Sequence, residues 1–180
     1  MENVILINDL ISLTAFEAGD RANLIRYIND PDVYNNTLTI PSPYTDIHAD
    51  EWFVRVQEQR DKYGMISSWA IRHREAGLIG NIACFFKYTS ASDSHRDEIG
   101  YWLAAPFRGQ GIMTGAVDAF CNWLHEKRGL LRIEAFVFVH NPASARVLEK
   151  AGFEREGYFR KLDRKDGVLL DAVGLARIWE

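Results

Sequence analysis

Arg108-Gly109-Gln110-Gly111 lies between a β-like run over 98–105 and a helix-like run that opens at Ile112. A strand that breaks into a glycine turn and re-forms as a helix points several backbone N–H groups the same way. The helix dipole adds partial positive charge at that point. Such a turn is a cradle for phosphate or pyrophosphate. Gly109 and Gly111 keep side chains off an approaching ligand and allow positive φ. Arg108 is expected to add a full charge beside them. The same glycines also suit an ordinary strand-to-helix loop, and Gly109-x-Gly111-x-x-Thr114 comes close to a dinucleotide fingerprint that lacks its third glycine. No Gly-Lys-Ser/Thr follows, so the usual P-loop is excluded. The five histidines, 48, 73, 95, 125 and 140, show no metal-ligand spacing, so no metal is expected.

The 180 residues, 47% hydrophobic and 26% charged, suit a single domain with a substantial core. A net charge of −4 argues against a dedicated binder of nucleic acid or anionic membrane. Cys84 and Cys121 lie far apart in apolar surroundings, which reads as two buried thiols in a reducing compartment. The first residues lack the basic start and cleavage site of a signal peptide, and no apolar run is long enough to span a bilayer. A cytoplasmic protein is expected.

The elements that must hold the turn follow from periodicity. Strands are expected over 10–16, 68–72 and 78–88, with helices over 20–28 and 45–63 and an irregular stretch over 32–44. Gly80 inside the third strand suggests a bulge or close contact. The helix after the glycine turn runs from 112 to 127 and buries Met113, Ala116, Val117, Phe120, Trp123 and Leu124. The apolar run 131–139 reads as a strand parallel to 98–105 through a β-helix-β crossover. Asn141 and Pro142 open a helix that ends at Gly152. Two strands joined at Asp166-Gly167 finish the chain.

Two stretches together resemble a known family. Arg108-Gly-Gln-Gly-Ile-Met113 is similar to the Q/R-x-x-G-x-G/A acyl-CoA signature of the GNAT N-acetyltransferases. The downstream stretch from Val139 through His140, Asn141, Pro142 and Ser144 to Phe153 resembles their second signature. Both are worded like the RimJ/RimL branch. Met113 departs from the pattern, but the contact there is a backbone N–H. The resemblance implies an α/β (α+β) fold with a mixed, mostly antiparallel sheet, a splayed central parallel pair and helices on both faces. It implies acetyl-CoA as co-substrate, with its pyrophosphate on the N–H groups of Arg108, Gly109, Gln110, Gly111, Ile112, Met113 and Thr114. Its pantetheine would lie along Leu103 and Ala104 and be held by Asn141, with Ser144 near the thiol. Asn141 as a plain N-cap and Ser144 as a surface hydroxyl are the alternatives. The implied acceptor is an amine: a protein N-terminus such as that of a ribosomal protein, or a small cationic amine. Edge strands of such folds pair into homodimers.

Acetyl transfer needs a neutral amine, and lysine or α-amines carry a proton at neutral pH. Three carboxylates are ranked as general base: Glu98, then Asp163, then Glu134, for which a structural ion pair with Arg132 or Arg160 is favoured. An oxyanion donor is expected at a backbone N–H near Leu103, and Ser144 as the acid for the thiolate. No cysteine lies in either motif, so direct transfer in a ternary complex is expected. Asp30, Asp32, Asp46, Asp50 and Glu51, with no Lys or Arg from 30 to 54, form either an acidic rim that draws cationic amines or acids serving helix dipoles. A non-catalytic acyl-CoA sensor and an NAD(P)-dependent oxidoreductase are the rival readings.

Overall fold

A computed structural model describes residues 4–180. In chain order the elements are β1 (Val4–Leu6), β2 (Ile11–Thr14), α1 (Arg21–Ile28), α2 (Pro31–Asn36), α3 (Asp46–Tyr63), β3 (Ser68–His73), β4 (Gly77–Cys84), β5 (Arg96–Leu103), α4 (Ile112–Arg128), β6 (Arg132–Phe138), α5 (Pro142–Lys150), β7 (Glu154–Lys165) and β8 (Val168–Ile178). The eight strands form a sheet in the order β1-β2-β3-β4-β5-β6-β8-β7. Among the described residues only β5 and β6 pair in parallel; every other neighbouring pair is antiparallel. This is the fold expected from the two motifs.

Strand alternation sends side chains to two cores. On one face, α4 and α5 bury Trp69, Ile71, Ile82, Ile99, Phe120, Leu124, Ile133 and Leu148. On the other, α1, α2 and α3 bury Leu24, Ile28, Val33, Ala49, Ala70, Leu78 and Trp102. Met113 belongs to the first core at 6% exposure, so its side chain leaves the turn clear. Asp97, fully buried on β5, is held by Arg128 of α4 at 3.0 Å, and this pins the helix against the strand. Cys84 and Cys121 are buried free thiols. Among the described residues no helix is long and apolar enough to cross a membrane.

Several boundaries differ from the sequence expectation. The stretch 32–44 contains α2, because Asp30 accepts the Asp32 N–H and Pro31 takes the first helical position. The Asn-Asp-Pro that stops α1 therefore also starts α2. The strand expected over 78–88 stops at Cys84, and Phe86 takes φ +51°. The strand expected over 98–105 runs two residues earlier at each end, and Pro106 falls in a 3₁₀ turn over Ala105–Phe107. β1 was not expected at all. Gly80 is the anticipated close contact: a Cβ there would lie 2.5 Å from the Trp102 carbonyl, opposite a register shift in β3.

Candidate active site

β5 and β6 pair over only three residues, Arg96–Glu98 against Arg132–Glu134. Beyond Glu98 each strand keeps only its outer neighbour. The hydrogen-bond phase shows what the resulting gap presents. Phe85 N–H donates to Glu98 C=O and Ala104 N–H to Ile79 C=O, so the even-numbered residues of β5 bond to β4. In an antiparallel ladder the alternate residues then face away. Ile99, Tyr101 and Leu103 therefore turn their main-chain groups toward the gap. On β6, Val139 N–H donates to Asp171 C=O, so Phe136 and Phe138 turn theirs toward it from the other wall, with the Phe138 carbonyl already accepting the Asn141 N–H at 2.8 Å. Unpaired strand groups on both walls suit the amides of an extended ligand, since such groups otherwise lack partners.

The glycine turn closes the β5 end of the gap. Gly109 and Gly111 take φ +76° and +77°, and an added Cβ at either would meet nothing within 4 Å. Gly111 is the N-cap of the 17-residue α4, whose first backbone bond runs from Gly115 N–H to Gly111 C=O. The N–H groups of Ile112, Met113 and Thr114 precede that bond and point out of the helix end. Two expectations about the turn need correction. The Arg108 N–H donates to Ala105 C=O at 3.2 Å, so the cradle begins at Gly109. The Arg108 guanidinium is not free either. It binds Asp30 at 2.7 Å and Asp32 at 2.9 Å, and its Nε donates to Leu103 C=O at 2.9 Å. Gln110 Nε2 donates to Pro106 C=O at 3.0 Å, which braces the loop. Leu103 thus keeps its N–H toward the gap while its carbonyl is engaged. Ala104 gives its N–H to β4, its carbonyl accepts the Phe107 N–H at 3.0 Å and its side chain is fully buried, so the expected pantetheine contact finds no unpaired main-chain group at Ala104.

On the β6 side, Asn141 Oδ1 accepts the Ser144 N–H at 3.1 Å. This N-cap uses the oxygen and leaves the amide nitrogen available, so capping and ligand contact are compatible. Ser144 Oγ lies 2.9 Å from Tyr101 Oη, which also donates to the Ser144 carbonyl at 3.2 Å. Burial pushes the Tyr101 phenol above its ordinary range, against the Ser144 bond, so it stays a neutral donor. Tyr101 escaped sequence reasoning. Counting along β5 would have found it, because three positions from Glu98 is the opposite face.

Glu98 faces the α1–α3 side of the sheet and Tyr101 the α4–α5 side. Glu98 Oε2 is bonded to Lys87 Nζ at 2.6 Å. Burial raises the Glu98 carboxyl above its usual range; the Lys87 bond pulls it down, and Glu134 and Asp97 push it up. Glu134 sits directly beside Glu98 in register but is committed to Arg132 at 2.6 Å and Arg96 at 3.3 Å. Arg132 also binds Glu156. Asp163 lies on β7 opposite Leu170, six β8 positions from Ala176, the residue level with Glu134. At about 3.3 Å per residue that is roughly 20 Å, so Asp163 and Glu98 do not share a site.

The acids from 30 to 51 are mostly spent. Asp30 and Asp32 bind Arg108, and Asp46 and Asp50 bind Arg21. α2 is also tied to the far wall: His140 Nε2 lies 3.1 Å from the Asn35 carbonyl, and Lys165 Nζ donates to the Tyr34 and Thr37 carbonyls at 2.6 Å. Tyr34 Oη donates to Asp166. α2 therefore spans the open end of the gap, fastened on both sides.

A sequence model of the GNAT acetyltransferase domain matches residues 11–154. The chain belongs to the GNAT acetyltransferase family. It transfers an acetyl group from acetyl-CoA to an amine nitrogen, and acetyl-CoA is its co-substrate. The chain is 46% identical over 99 residues to the Bacillus subtilis probable N-acetyltransferase YjcK, a match spanning 55% of this chain and about half, 54%, of that protein. It is 26% identical over 159 residues to the Escherichia coli L-amino acid N-acetyltransferase AaaT, covering 86% of this chain and 90% of that one. The solved complex of RimL, a ribosomal L7/L12 α-N-protein acetyltransferase, with coenzyme A superposes with a TM-score of 0.83 at 18% identity, covering 97% of each chain. That likeness shows the fold. The oxidoreductase reading falls with these findings: the glycine turn follows an antiparallel meander, not the first strand of a dinucleotide-binding unit.

Proposed function

We propose that the protein acetylates a primary amine by direct transfer within a ternary complex, with residues 1–180 acting as one cytoplasmic catalytic domain. The observation that carries this is the parting of β5 and β6 just past Glu98 and Glu134. The two candidate proton groups face opposite sides of the sheet there. An amine approaching from the Glu98 side loses its proton to that carboxylate as its lone pair attacks the thioester carbon. The Leu103 N–H, turned into the gap, supports the oxyanion. As the carbon–sulfur bond breaks, the Ser144 hydroxyl, which Tyr101 orients, donates a hydrogen bond to the departing thiolate, which takes its proton from water. A thiol has a pKa of about 8.5, so the thiolate is a fair leaving group and needs no stronger acid.

The N–H groups from Gly109 to Thr114 cradle the pyrophosphate, and Asn141 Nδ2 holds the pantetheine arm. Burial raises both cysteine thiols well above their ordinary range, which disfavours an acetyl-cysteine intermediate. Asp163, roughly 20 Å from Glu98 along the sheet, is not the base in this reading. The acceptor is an amine of either kind met among the relatives, a free amino compound or a protein N-terminus. The test is thiol release from acetyl-CoA with an amine panel, beside calorimetry of acetyl-CoA alone. Saturable, amine-dependent release is expected. Acetyl-CoA binding with no amine-dependent turnover would favour a sensor, and no binding would end the assignment.

A further inference from the structure

Three phenylalanines lie on the Glu98 face around the gap, and each is far more exposed than a core ring. Phe85 is 46% exposed, Phe136 39% and Phe159 40%. Large apolar side chains gathered at one place mark a contact surface more often than chance exposure does. The backbone is built to seat these rings. Gly100, two residues beyond Glu98, has Phe85 lying across it, so that a Cβ there would come 2.6 Å from the ring. Gly157 and Gly174 pair across β7 and β8, and the Phe159 ring lies over both, with virtual Cβ distances of 3.0 and 2.8 Å. Phe136 meets Phe159 edge-on at 5.4 Å. Phe136, Phe159, Glu134 and Gly174 line a cavity of about 210 Å³, with Arg132 and Glu156 at its edge.

The charges around these rings cancel. Lys87 is matched by Glu98, and Arg96 and Arg132 by Glu134 and Glu156. A surface made for a polyamine would carry surplus acid, and four of the five acids from 30 to 51 are bound to Arg108 and Arg21. We infer that the acceptor is a primary amine bearing an aromatic or bulky apolar group, whose ring packs on Phe136 and Phe159 while its nitrogen reaches Glu98. The cavity is lined by Glu134, the register partner of Glu98, and its matched charges suit an uncharged body. This rests on the proposed approach of the amine from the Glu98 face.

The test compares phenethylamine, ethylamine and spermidine as acceptors, with 2-phenylethanol as an inhibitor that has no nitrogen to acetylate. Phenethylamine should exceed the other two in kcat/KM by roughly 10-fold or more, the discrimination an apolar pocket gives. The alcohol should compete with the amine and not with acetyl-CoA. Phe159→Ala and Phe136→Ala should each cut the phenethylamine-to-ethylamine ratio. Should either variant fail to fold, inhibition of the unaltered protein by the alcohol still decides. Preference for spermidine, equal use of the three amines, or no competition overturns the inference while leaving the transferase reading intact. A dimer that covers these rings in sedimentation also overturns it. Absence of acetyl-CoA binding removes the reading beneath it as well.

Discussion

The Glu98 carboxyl sits between two opposed influences: burial raises its pKa and Lys87 lowers it. As the proposed base, Glu98 must be ionised, so kcat/KM should fall as pH drops through that raised value. Lys87→Met removes the lowering partner, so the acid limb should move to higher pH with the alkaline side unchanged. An unmoved limb in that pH profile would exclude Glu98 as the base. Glu98→Gln should lower kcat by about 100-fold or more, within the usual range for losing a positioned base, with acetyl-CoA affinity held in calorimetry. In the proposed mechanism Tyr101 acts through Ser144 and is a positioning residue. Tyr101→Phe should lower kcat by about 10-fold, equivalent to 1.4 kcal/mol of barrier, with KM for the amine little changed. Ser144→Ala in the same background should then add little, because the two groups act as one unit.

Among the elements, the ones most legible in the sequence were those with local signals. The Asn141-Pro142 start of α5, the Asp166-Gly167 turn and the glycine stop after α4 each rest on a single residue's backbone preference. The crossover from β5 to β6 followed from helix-flanked apolar runs. What escaped were features set across the sheet. Nothing local in Arg96–Leu103 shows where pairing with β6 ends, that Lys87 meets Glu98, or that Arg108 is claimed by α2. α2 is hidden in the sequence because Asn29-Asp30-Pro31 reads as the stop of α1, and Asn35-Asn36, Pro41 and Pro43 make the stretch after it look irregular. Asn141→Ala tests an element with two duties. Loss of the cap should cost about 1 kcal/mol in denaturant unfolding, and KM for acetyl-CoA should rise as well. Restoration by Asn141→Asp of stability but not of KM would separate the oxygen that caps from the nitrogen that binds. Gly111→Val should be harsher, since φ +77° costs a side-chain-bearing residue about 1–2 kcal/mol and the new side chain fills the phosphate cradle.

Taken as a whole, the molecule is one sheet between two cores, and the Asp97–Arg128 pair links its parting strand to the helix of the glycine turn. Arg128→Ala would leave a buried carboxylate without its cation, so unfolding should lose about 3–5 kcal/mol; a change under ~1 kcal/mol would show that the backbone N–H groups of Lys87 and Glu98, which also donate to Asp97, suffice. α2 joins the two walls unequally. Toward β5 it is fastened by full charges, and toward the hairpin by hydrogen bonds to its own main chain. Dissolved salt weakens the first kind of fastening far more than the second, with a screening length of roughly 8 Å at physiological strength. The doorway therefore has a latch and a hinge, and concentrated electrolyte should loosen the latch alone, so that bulky amines gain on slender ones as ionic strength climbs.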